Sequence, residues 1–303
     1  MEYNLITILG PTAVGKTRLA AELAYKFTGE IISADSRQVY KKMDIGTGKD
    51  LKDYIVNEKK IKYHLIDVLN PDDEFNLFLF NKYFYKSFSE INKKNQTPFL
   101  TGGTGLFIHS ILKQYDLFET KVSDEKYSEL NKLSLEELSD KLKKLNPNLH
   151  NTTDLLIKER VIKAIIIAEG DANNIIEDKT EINSLVIGVR LEREKIKERI
   201  TVRLKERLKS GMIEEVEELI KSGITFEKLN FFGLEYKFVG QYLNGKLNYN
   251  DMFQKLNSAI HAFAKRQMTW FRKMEREGVN INWIDGPDVV KASEIIEKNY
   301  FKN

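Results

Sequence analysis

Residues 10–17 read Gly-Pro-Thr-Ala-Val-Gly-Lys-Thr, which fits the pattern G-x-x-x-x-G-K-[ST] of a phosphate-binding loop. The apolar run at residues 5–9 predicts a buried strand before it, and apolar spacing over residues 19–27 predicts a helix after it. Glycines let successive backbone N–H groups surround an anion, Lys16 adds a point charge, and the Thr17 hydroxyl can ligate Mg²⁺. The loop therefore predicts a site for a phosphate chain and leaves ATP, GTP or another pyrophosphate open.

Strand and helix patterns alternate through much of the remaining chain. Residues 31–34 and 98–101 are typical of short buried strands, and residues 63–68 are a further candidate. The helical patterns cover residues 75–94, 106–112, 194–210, 213–222 and 251–276, and residues 185–189 return to a strand pattern. This alternation predicts an α/β fold in which a parallel sheet of the P-loop NTPase type is flanked by helices.

The pattern changes between residues 118 and 184, where no segment is typical of a strand. Ser134 and Glu137 form a capping box ahead of a helix with regularly spaced leucines, and Pro147 ends that helix. A second helical pattern over residues 155–168 stops at Gly170. We therefore predict a small all-helical insertion at 118–184, within a P-loop α/β core formed by 1–117 and 185–303.

The composition excludes several kinds of chemistry. The 303 residues include no cysteine, which excludes disulfides, cysteine-ligated zinc, iron–sulfur clusters and thiol nucleophiles. The four histidines lack metal-ligand spacing. No leader pattern follows Met1, and no apolar run reaches the ~18 residues of a membrane span, so we expect a cytoplasmic protein without a membrane partner.

Two further segments follow predicted strands, at the sheet edge where open α/β sheets bind ligands. Asp35 could hold Mg²⁺ or accept a proton or hydrogen bond from a substrate, and an aspartate that caps a turn is the alternative. Residues 102–105, Gly-Gly-Thr-Gly, allow close approach of backbone to a ligand, although a plain tight turn also explains them. Asp67 ends the candidate strand at 63–68, but Asn-Pro-Asp at 70–72 favours an ordinary turn there.

The nearly balanced charge, 48 Lys+Arg against 45 Asp+Glu, conceals a local basic segment. Residues 190–209 carry nine basic residues against four Glu. Further on, Arg266, Trp270 and Lys273 share one face of a predicted helix. Cations interleaved with aromatics suit RNA, whereas a solvated charged face with aromatics in the core is the alternative interpretation.

Taken together, these segments resemble the tRNA dimethylallyltransferases, also called tRNA isopentenyltransferases. The matching segments follow the family order over nearly the whole chain and occupy residues 10–17, 32–40, 43–49, 64–67, 102–107, 199–216 and 265–272. The resemblance implies transfer of a dimethylallyl group from dimethylallyl pyrophosphate to N6 of the adenosine next to the tRNA anticodon, position 37. We expect a monomer that acts with Mg²⁺ on the anticodon stem-loop.

The resemblance also implies roles for individual residues. The loop would hold the donor pyrophosphate through Gly10, Pro11, Thr12, Ala13, Val14, Gly15, Lys16 and Thr17. Lys16 and Thr17, with Mg²⁺ on Thr17, would neutralise the leaving group, and Asp35 would accept the N6 proton or a hydrogen bond from it. The implied tRNA-binding residues are Asp35, Ser36, Arg37, Gln38, Thr104, Arg160, Lys163, Lys265, Arg266 and Gln267. The target base must leave its stack to react.

Two segments differ from the family pattern. Phe232 stands where members usually carry an Arg that is expected to help bind the donor pyrophosphate, and Glu235 replaces the Gly of a Gly-Tyr pair. Residues 163–166 read Lys-Ala-Ile-Ile where Arg-Ala-Leu-Glu is usual. Two other functions therefore stay open: an ATP-binding kinase or NTPase for a small molecule, and a non-catalytic RNA-binding protein with a vestigial loop.

Overall fold

The computed structural model describes residues 2–117, 124–145, 158–169 and 179–301. The chain divides into two compact units, one formed by Met1–Gln114 with Thr180–Asn303 and the other by Tyr115–Lys179. The second unit begins and ends a few residues before the 118–184 range predicted for the insertion.

The larger unit is built on a six-stranded sheet in the order β5-β2-β6-β1-β7-β8, in which every paired strand is parallel. These strands are β1 (Leu5–Leu9), β2 (Gly29–Ala34), β5 (Tyr63–His64), β6 (Thr97–Gly102), β7 (Ser184–Arg190) and β8 (Ile281–Asp285). The strands β3 (Ile55–Val56) and β4 (Lys59–Lys60) form a separate antiparallel hairpin. The parallel sheet confirms the predicted α/β fold class.

The described helices number α1 to α12 in chain order, and a short 3₁₀ helix occupies Leu51–Tyr54. They are α1 (Lys16–Lys26), α2 (Leu77–Asn92), α3 (Gly105–Leu112), α4 (Asp124–Asn131), α5 (Leu135–Leu145), α6 (Lys158–Ala168), α7 (Arg193–Lys209), α8 (Met212–Lys221), α9 (Phe226–Phe232), α10 (Leu234–Leu243), α11 (Tyr249–Arg276) and α12 (Val289–Asn299). Of the described helices, none is both long and apolar enough to span a membrane.

Helices cover the sheet and bury its central strands. Every residue of β1 and of β6 is buried, which explains why β1 reads as a nearly continuous apolar run instead of an alternating one. Leu19 and Leu23 of α1 pack into the same core cluster as Ile6 and Ile31, so the helix that follows the loop is fixed directly on the sheet. This packing gives the loop between β1 and α1 a rigid frame.

The candidate strand at 63–68 is shorter than predicted. It ends at His64, because Leu65 and Asp67 both adopt a left-handed backbone, with φ of 63° and 56°. Asp67 then contacts the buried ammonium of Lys49 at 2.5 Å, so this carboxylate holds a neighbouring loop.

The smaller unit contains only helices among its described residues, α4 to α6. Leu130, Leu138, Leu142, Val161 and Ile165 form its core. The predicted capping box is confirmed, since the Ser134 N–H donates to Glu137 Oε2 at 2.7 Å and the Glu137 N–H donates to Ser134 Oγ at 3.2 Å. Pro147 and Gly170, the predicted stops, lie outside the described residues.

Candidate active site

The glycine loop joins the carboxyl end of β1 to the first residue of α1. Gly15 has φ of 91°, a conformation that glycine adopts at little cost and that turns the chain into the helix. Lys16 follows as the first helical residue, and its Nζ donates back to the carbonyl oxygen of Pro11 at 3.3 Å. The loop therefore wraps the Lys16 ammonium and leaves the N-terminus of α1 at its centre, the arrangement that attracts anions.

A cavity of about 980 Å³ opens from this loop. Its walls come from the loop, the segment after β2, the loop that leads into the 3₁₀ helix, the turn after β6, the junction of α9 with α10, and one face each of α7 and α11. The lining includes Thr12, Ala13, Gly15, Lys16, Thr17, Asp35, Ser36, Arg37, Gln38, Thr104, Arg199, Arg203, Arg207, Phe232, Glu235, Arg266 and Gln267. The structure thus brings together most of the residues predicted for the site. A volume this large is at the upper end of the range for small-molecule pockets, ~300–1,000 Å³, so it has room for more than a pyrophosphate.

The electrostatics of the cavity centre on Lys16. Burial lowers the pKa of Lys16 to about 8, the Asp35 carboxylate opposes this change, and the Arg203 guanidinium adds to it. Lys16 therefore carries its proton below pH ~8 and loses it above that value. An anion bound in the loop would hold the proton more firmly, because it favours the charged form of the lysine.

Asp35 begins a tight turn after β2. Its Oδ1 accepts from the N–H groups of Arg37 at 2.9 Å and Gln38 at 3.4 Å, the pattern of an aspartate-capped turn. The same carboxylate lines the cavity that contains Lys16. The capped turn is therefore present, and the same carboxylate lines the cavity, so its role toward a substrate or Mg²⁺ stays a prediction.

Two neighbours fix the position of this turn. The Ser36 N–H donates to Thr104 Oγ1 at 3.2 Å, which ties the turn to the segment after β6. Gln38 Nε2 donates to the carbonyl oxygen of Gly48 at 3.1 Å, which ties it to the loop before the 3₁₀ helix. Ser36, Gln38 and Thr104 thus position Asp35 as well as lining the cavity.

Gln267 on α11 has a role that the sequence did not predict. Its Oε1 accepts from the Thr12 N–H at 2.8 Å, and its Nε2 donates to the carbonyl oxygen of Gly103 at 2.9 Å. The side chain is 5% exposed. Gln267 therefore bridges the two glycine-rich turns, although we expected it among the residues that contact tRNA.

The other basic residues predicted to bind tRNA are distributed more widely. Arg266 lines the cavity and lies 5.8 Å from the ring centre of Phe263, whereas Lys265 is exposed and outside the cavity lining. Arg160 and Lys163 belong to α6, but their side chains lie outside the described part of the chain, so their role stays a prediction.

Three arginines of α7 line the cavity and were not among the residues predicted for the site. Arg199 Nη1 donates to the carbonyl oxygen of Ala13 at 3.5 Å, Arg203 Nη2 lies 2.9 Å from Asp50 Oδ2, and Arg207 Nη1 lies 3.9 Å from Glu235 Oε1. Their spacing of four residues puts them on one helical face. That spacing was visible in the basic segment 190–209 and could have identified them.

Phe232 and Glu235, the two departures from the family pattern, have distinct environments. Phe232 is 1% exposed and meets the rings of Tyr40 and Tyr236 edge-on at 5.2 and 6.1 Å. Burial raises the pKa of the Glu235 carboxyl, and the Arg207 guanidinium opposes that rise. The position of the usual arginine is therefore part of an aromatic cluster, while Glu235 is a half-buried neighbour of Arg207.

The parallel sheet and the loop after β1 define an α/β protein of the phosphate-loop class. The model of the IPP transferase family matches residues 38–274, and that of the isopentenyl transferase family matches residues 3–67. Because these matches and the relatives below span nearly the whole sequence, the chain belongs to the tRNA dimethylallyltransferase family of prenyl-transferring enzymes, as the resemblance predicted.

Similar proteins include tRNA dimethylallyltransferase 1 of Geotalea uraniireducens, 51% identical over 301 residues that cover 99% of each chain. tRNA dimethylallyltransferase 2 of Pelobacter propionicus is 50% identical over 286 residues, 94% of this chain and 90% of the relative. Among solved structures, the tRNA isopentenylpyrophosphate transferase of Bacillus halodurans has 31% identity and a TM-score of 0.69, covering 99% of this chain and 95% of its own.

Proposed function

We propose that this protein transfers a dimethylallyl group from dimethylallyl pyrophosphate to N6 of the adenosine at position 37, next to the tRNA anticodon. The observation that carries the proposal is that Lys16 of the phosphate loop and the Asp35 carboxylate line one cavity. A donor held by its pyrophosphate and an amine held by the carboxylate would meet there. The Geotalea and Pelobacter relatives are named as tRNA dimethylallyltransferases, which supports transfer of a dimethylallyl group to tRNA.

The phosphate loop would serve the donor. As the allylic C–O bond breaks, its electron pair leaves with the pyrophosphate, and the loop N–H groups and Lys16 stabilise that growing charge. Thr17 lines the cavity, and its hydroxyl oxygen is a ligand of the kind that Mg²⁺ accepts. Mg²⁺ usually keeps several waters and binds substrate phosphates beside one or two protein groups, so a single hydroxyl beside the pyrophosphate suits it. Thr17 would hold the ion, which when bound supplies further charge neutralisation of the leaving group.

Asp35 would serve the acceptor. An adenine amine is a poor nucleophile, so its attack on the allylic carbon benefits from a carboxylate that accepts a hydrogen bond and then the N6 proton. Ser36, Arg37, Gln38 and Thr104 surround that carboxylate and would seat the nucleotide. The adenosine must leave its stack to enter, and Arg266, Lys265, Arg160 and Lys163 would contact the surrounding stem-loop.

The direct test is incubation with labelled dimethylallyl pyrophosphate, Mg²⁺ and a tRNA transcript that carries adenosine at position 37. We expect label in this transcript and none in a matched transcript with guanosine there. Absence of label from both, under conditions in which a tRNA dimethylallyltransferase from a relative is active, would refute the proposal. ATP hydrolysis without tRNA would favour the kinase alternative, and tight tRNA binding without donor binding would favour a vestigial loop.

Asp35→Asn tests the assignment of the base. Asparagine keeps the oxygen that caps the turn but cannot accept the proton, so we expect the transfer rate to fall ~10²–10⁴-fold with the tRNA Kd unchanged. Asp72→Asn, at an exposed turn outside the cavity lining, is the matched control. A single-turnover rate equal to that of the unmodified protein would remove Asp35 from catalysis.

A further inference from the structure

Phe231 of α9 presents an aromatic ring at the rim of the cavity. It is 45% exposed, whereas the next residue, Phe232, is 1% exposed. Both of its neighbours in the chain, Asn230 and Phe232, line the cavity. A single exposed ring is ordinary on a protein surface, so the groups around Phe231 decide whether it can bind a ligand.

The Phe231 ring is paired with a guanidinium from the turn that carries Asp35. Arg37 Cζ lies 4.6 Å from the centre of the ring, within the ~6 Å reach of a cation–π contact. The Arg37 N–H donates to Asp35 Oδ1 at 2.9 Å, so the guanidinium and the proposed base belong to one tight turn. Arg37 also lines the cavity. The pair of Arg37 and Phe231 therefore joins the rim of the cavity directly to the turn at Asp35.

The charges around this ring are positive. Within the described ranges of the chain, no carboxylate forms an ion pair with the Arg37 guanidinium. Lys228 Nζ lies 5.7 Å from the ring centre of Phe231, and Lys237 lines the cavity nearby on α10. A second copy of the chain or another apolar surface would leave these cations without partners, whereas an RNA strand supplies both phosphates and flat bases.

The exposed ring is backed by the buried aromatic cluster. Phe231 meets Phe232 edge-on at 5.9 Å, and Phe232 in turn meets Tyr40 and Tyr236 at 5.2 and 6.1 Å. The start of α9 is capped by Thr225, whose Oγ1 accepts from the backbone N–H three residues further on at 3.1 Å. A ring held in this way loses little conformational freedom when a base stacks on it, so less of the stacking energy is lost to ordering.

We propose that Phe231, paired with Arg37, is a stacking platform for one of the two nucleotides that flank the target adenosine in the anticodon loop. The inference rests on the proposed function for the identity of the target. When the target base enters the cavity toward Asp35, its neighbour in the strand loses a stacking partner and stays at the rim. The Phe231 ring replaces that partner, and the Arg37 guanidinium holds the ring face and offers its charge to the strand.

Binding of an anticodon stem-loop RNA with adenosine at position 37, measured at fixed salt concentration, tests the platform. We expect Phe231→Ala to raise the RNA Kd by about fivefold or more, the size of one lost base–aromatic stack, and Phe231→Tyr to keep most of the affinity. Phe226→Ala is the matched control, because Phe226 is a ring of the same helix, 38% exposed and outside the cavity lining, and its Kd should be unchanged. A folded Phe231→Ala protein with the original RNA affinity would overturn the proposal.

Stem-loops that lack one base identify the nucleotide on the platform. An abasic site on the 5′ or the 3′ side of position 37 keeps the phosphates and removes one base. We expect one of these two RNAs to bind the unmodified protein more weakly, and Phe231→Ala to cost that RNA no further affinity, because the ring and the base act as a pair. An equal loss of affinity on Phe231→Ala for all three RNAs would overturn the proposal, since the ring would then contact neither flanking base.

Two further readouts separate stacking from other uses of the ring. Phe231→Ala should leave the slope of log Kd against log salt concentration unchanged, because the ring carries no charge, whereas Arg37→Met should make the slope shallower. A slope altered by Phe231→Ala would contradict a stacking role. A dimer of the unmodified protein that Phe231→Ala dissociates would assign the ring to an interface between two copies and overturn the proposal.

The same measurements separate this inference from the proposed function. A protein that binds the stem-loop through Phe231 but labels no tRNA would refute the transfer and leave the platform standing. A protein that labels tRNA while Phe231→Ala binds the stem-loop normally would refute only the platform. A protein with no affinity for the stem-loop would refute the platform whatever its transfer activity.

Discussion

Two glycine-rich turns follow adjacent central strands of the sheet, and they differ in how much of each α11 covers. The turn after β1 wraps the Lys16 ammonium and opens into the cavity. The turn after β6 is covered by α11: Gln267 bonds to Gly103, and Trp270 packs on Gly105. Glycine allowed close approach in both places, but a ligand is the expected neighbour of the first turn, whereas α11 covers Gly103 and Gly105 of the second and leaves Thr104 to line the cavity. A glycine-rich pattern therefore predicts that another group approaches the backbone closely. Only Lys16 and Thr17, which follow the first turn, indicate that this group is a ligand.

The largest effect on transfer is expected from substitution of Lys16, the charged residue of the first turn. Lys16→Met should lower the donor kcat/KM by ~10³-fold or more, because it removes a cation aimed at the leaving group. The tRNA Kd should stay the same. Lys26→Met is the control on the same helix, since Lys26 is exposed and pairs with Glu297. A donor kcat/KM for Lys16→Met within tenfold of that of the unmodified protein would mean that the loop does not hold the pyrophosphate.

The next largest effect is expected at Gln267, the side chain that bridges the two turns. Gln267→Leu removes the acceptor for the Thr12 N–H and the donor to the Gly103 carbonyl, so the loop should lose its alignment. We expect unfolding free energy to fall by about 1–3 kcal/mol and pyrophosphate binding to weaken about tenfold. Gln254→Leu, at an exposed position of α11, should change neither quantity in denaturant titration and calorimetry. A lower unfolding free energy with unchanged pyrophosphate affinity would show that the second turn does not support the first.

The pKa of Lys16 predicts a pH dependence that only the first turn should produce. Since burial lowers that pKa to about 8, Lys16 loses its charge as pH rises through this value, and donor affinity should fall with it. For the donor itself, an alkyl pyrophosphate whose last ionisation has a pKa near 6, we expect a plateau below pH ~7.5 and a loss of affinity approaching tenfold per pH unit above 8. Affinity for dimethylallyl pyrophosphate measured from pH 7 to 9.5 tests this, and Lys16→Met should abolish the dependence. A flat profile for the unmodified protein would contradict it.

The smallest effect on ligand binding is expected at the second turn itself. A Cβ at Gly105 would lie 2.6 Å from Trp270 Cβ, so Gly105→Ala should overpack the contact and lower unfolding free energy by about 1–3 kcal/mol. Pyrophosphate affinity should change less than twofold, since Trp270 is outside the cavity lining. Gly15→Ala, which strains a residue with φ of 91°, should instead reduce affinity strongly. Equal losses of affinity in the two variants would remove the distinction between the turns.

The strands and helices were predictable from the sequence where a hydrophobic pattern continues over a long segment of the chain. Strands β1 and β6 and helices α2, α5 and α7 are close to their predicted ranges. The short helices α9 and α10 were missed, because Gly233 separates them with φ of 129° and each has few turns to show a period. Strand β8 was missed because its Ile-Asn-Trp-Ile-Asp pattern is only partly apolar, as suits a strand at the sheet edge.

By itself the sequence determined the phosphate loop, the parallel α/β class and the capped helix at Ser134, because each depends on residues within a few positions of one another. It also predicted Asp35, since an acidic residue directly after a strand has a known place in such a sheet. The tertiary structure alone decided that Gln267 joins Thr12 across 255 positions and that Arg203 and Arg207 meet Asp50 and Glu235. Such pairs depend on how whole helices pack, and helix packing depends on the core and not on the charged residues that it brings together.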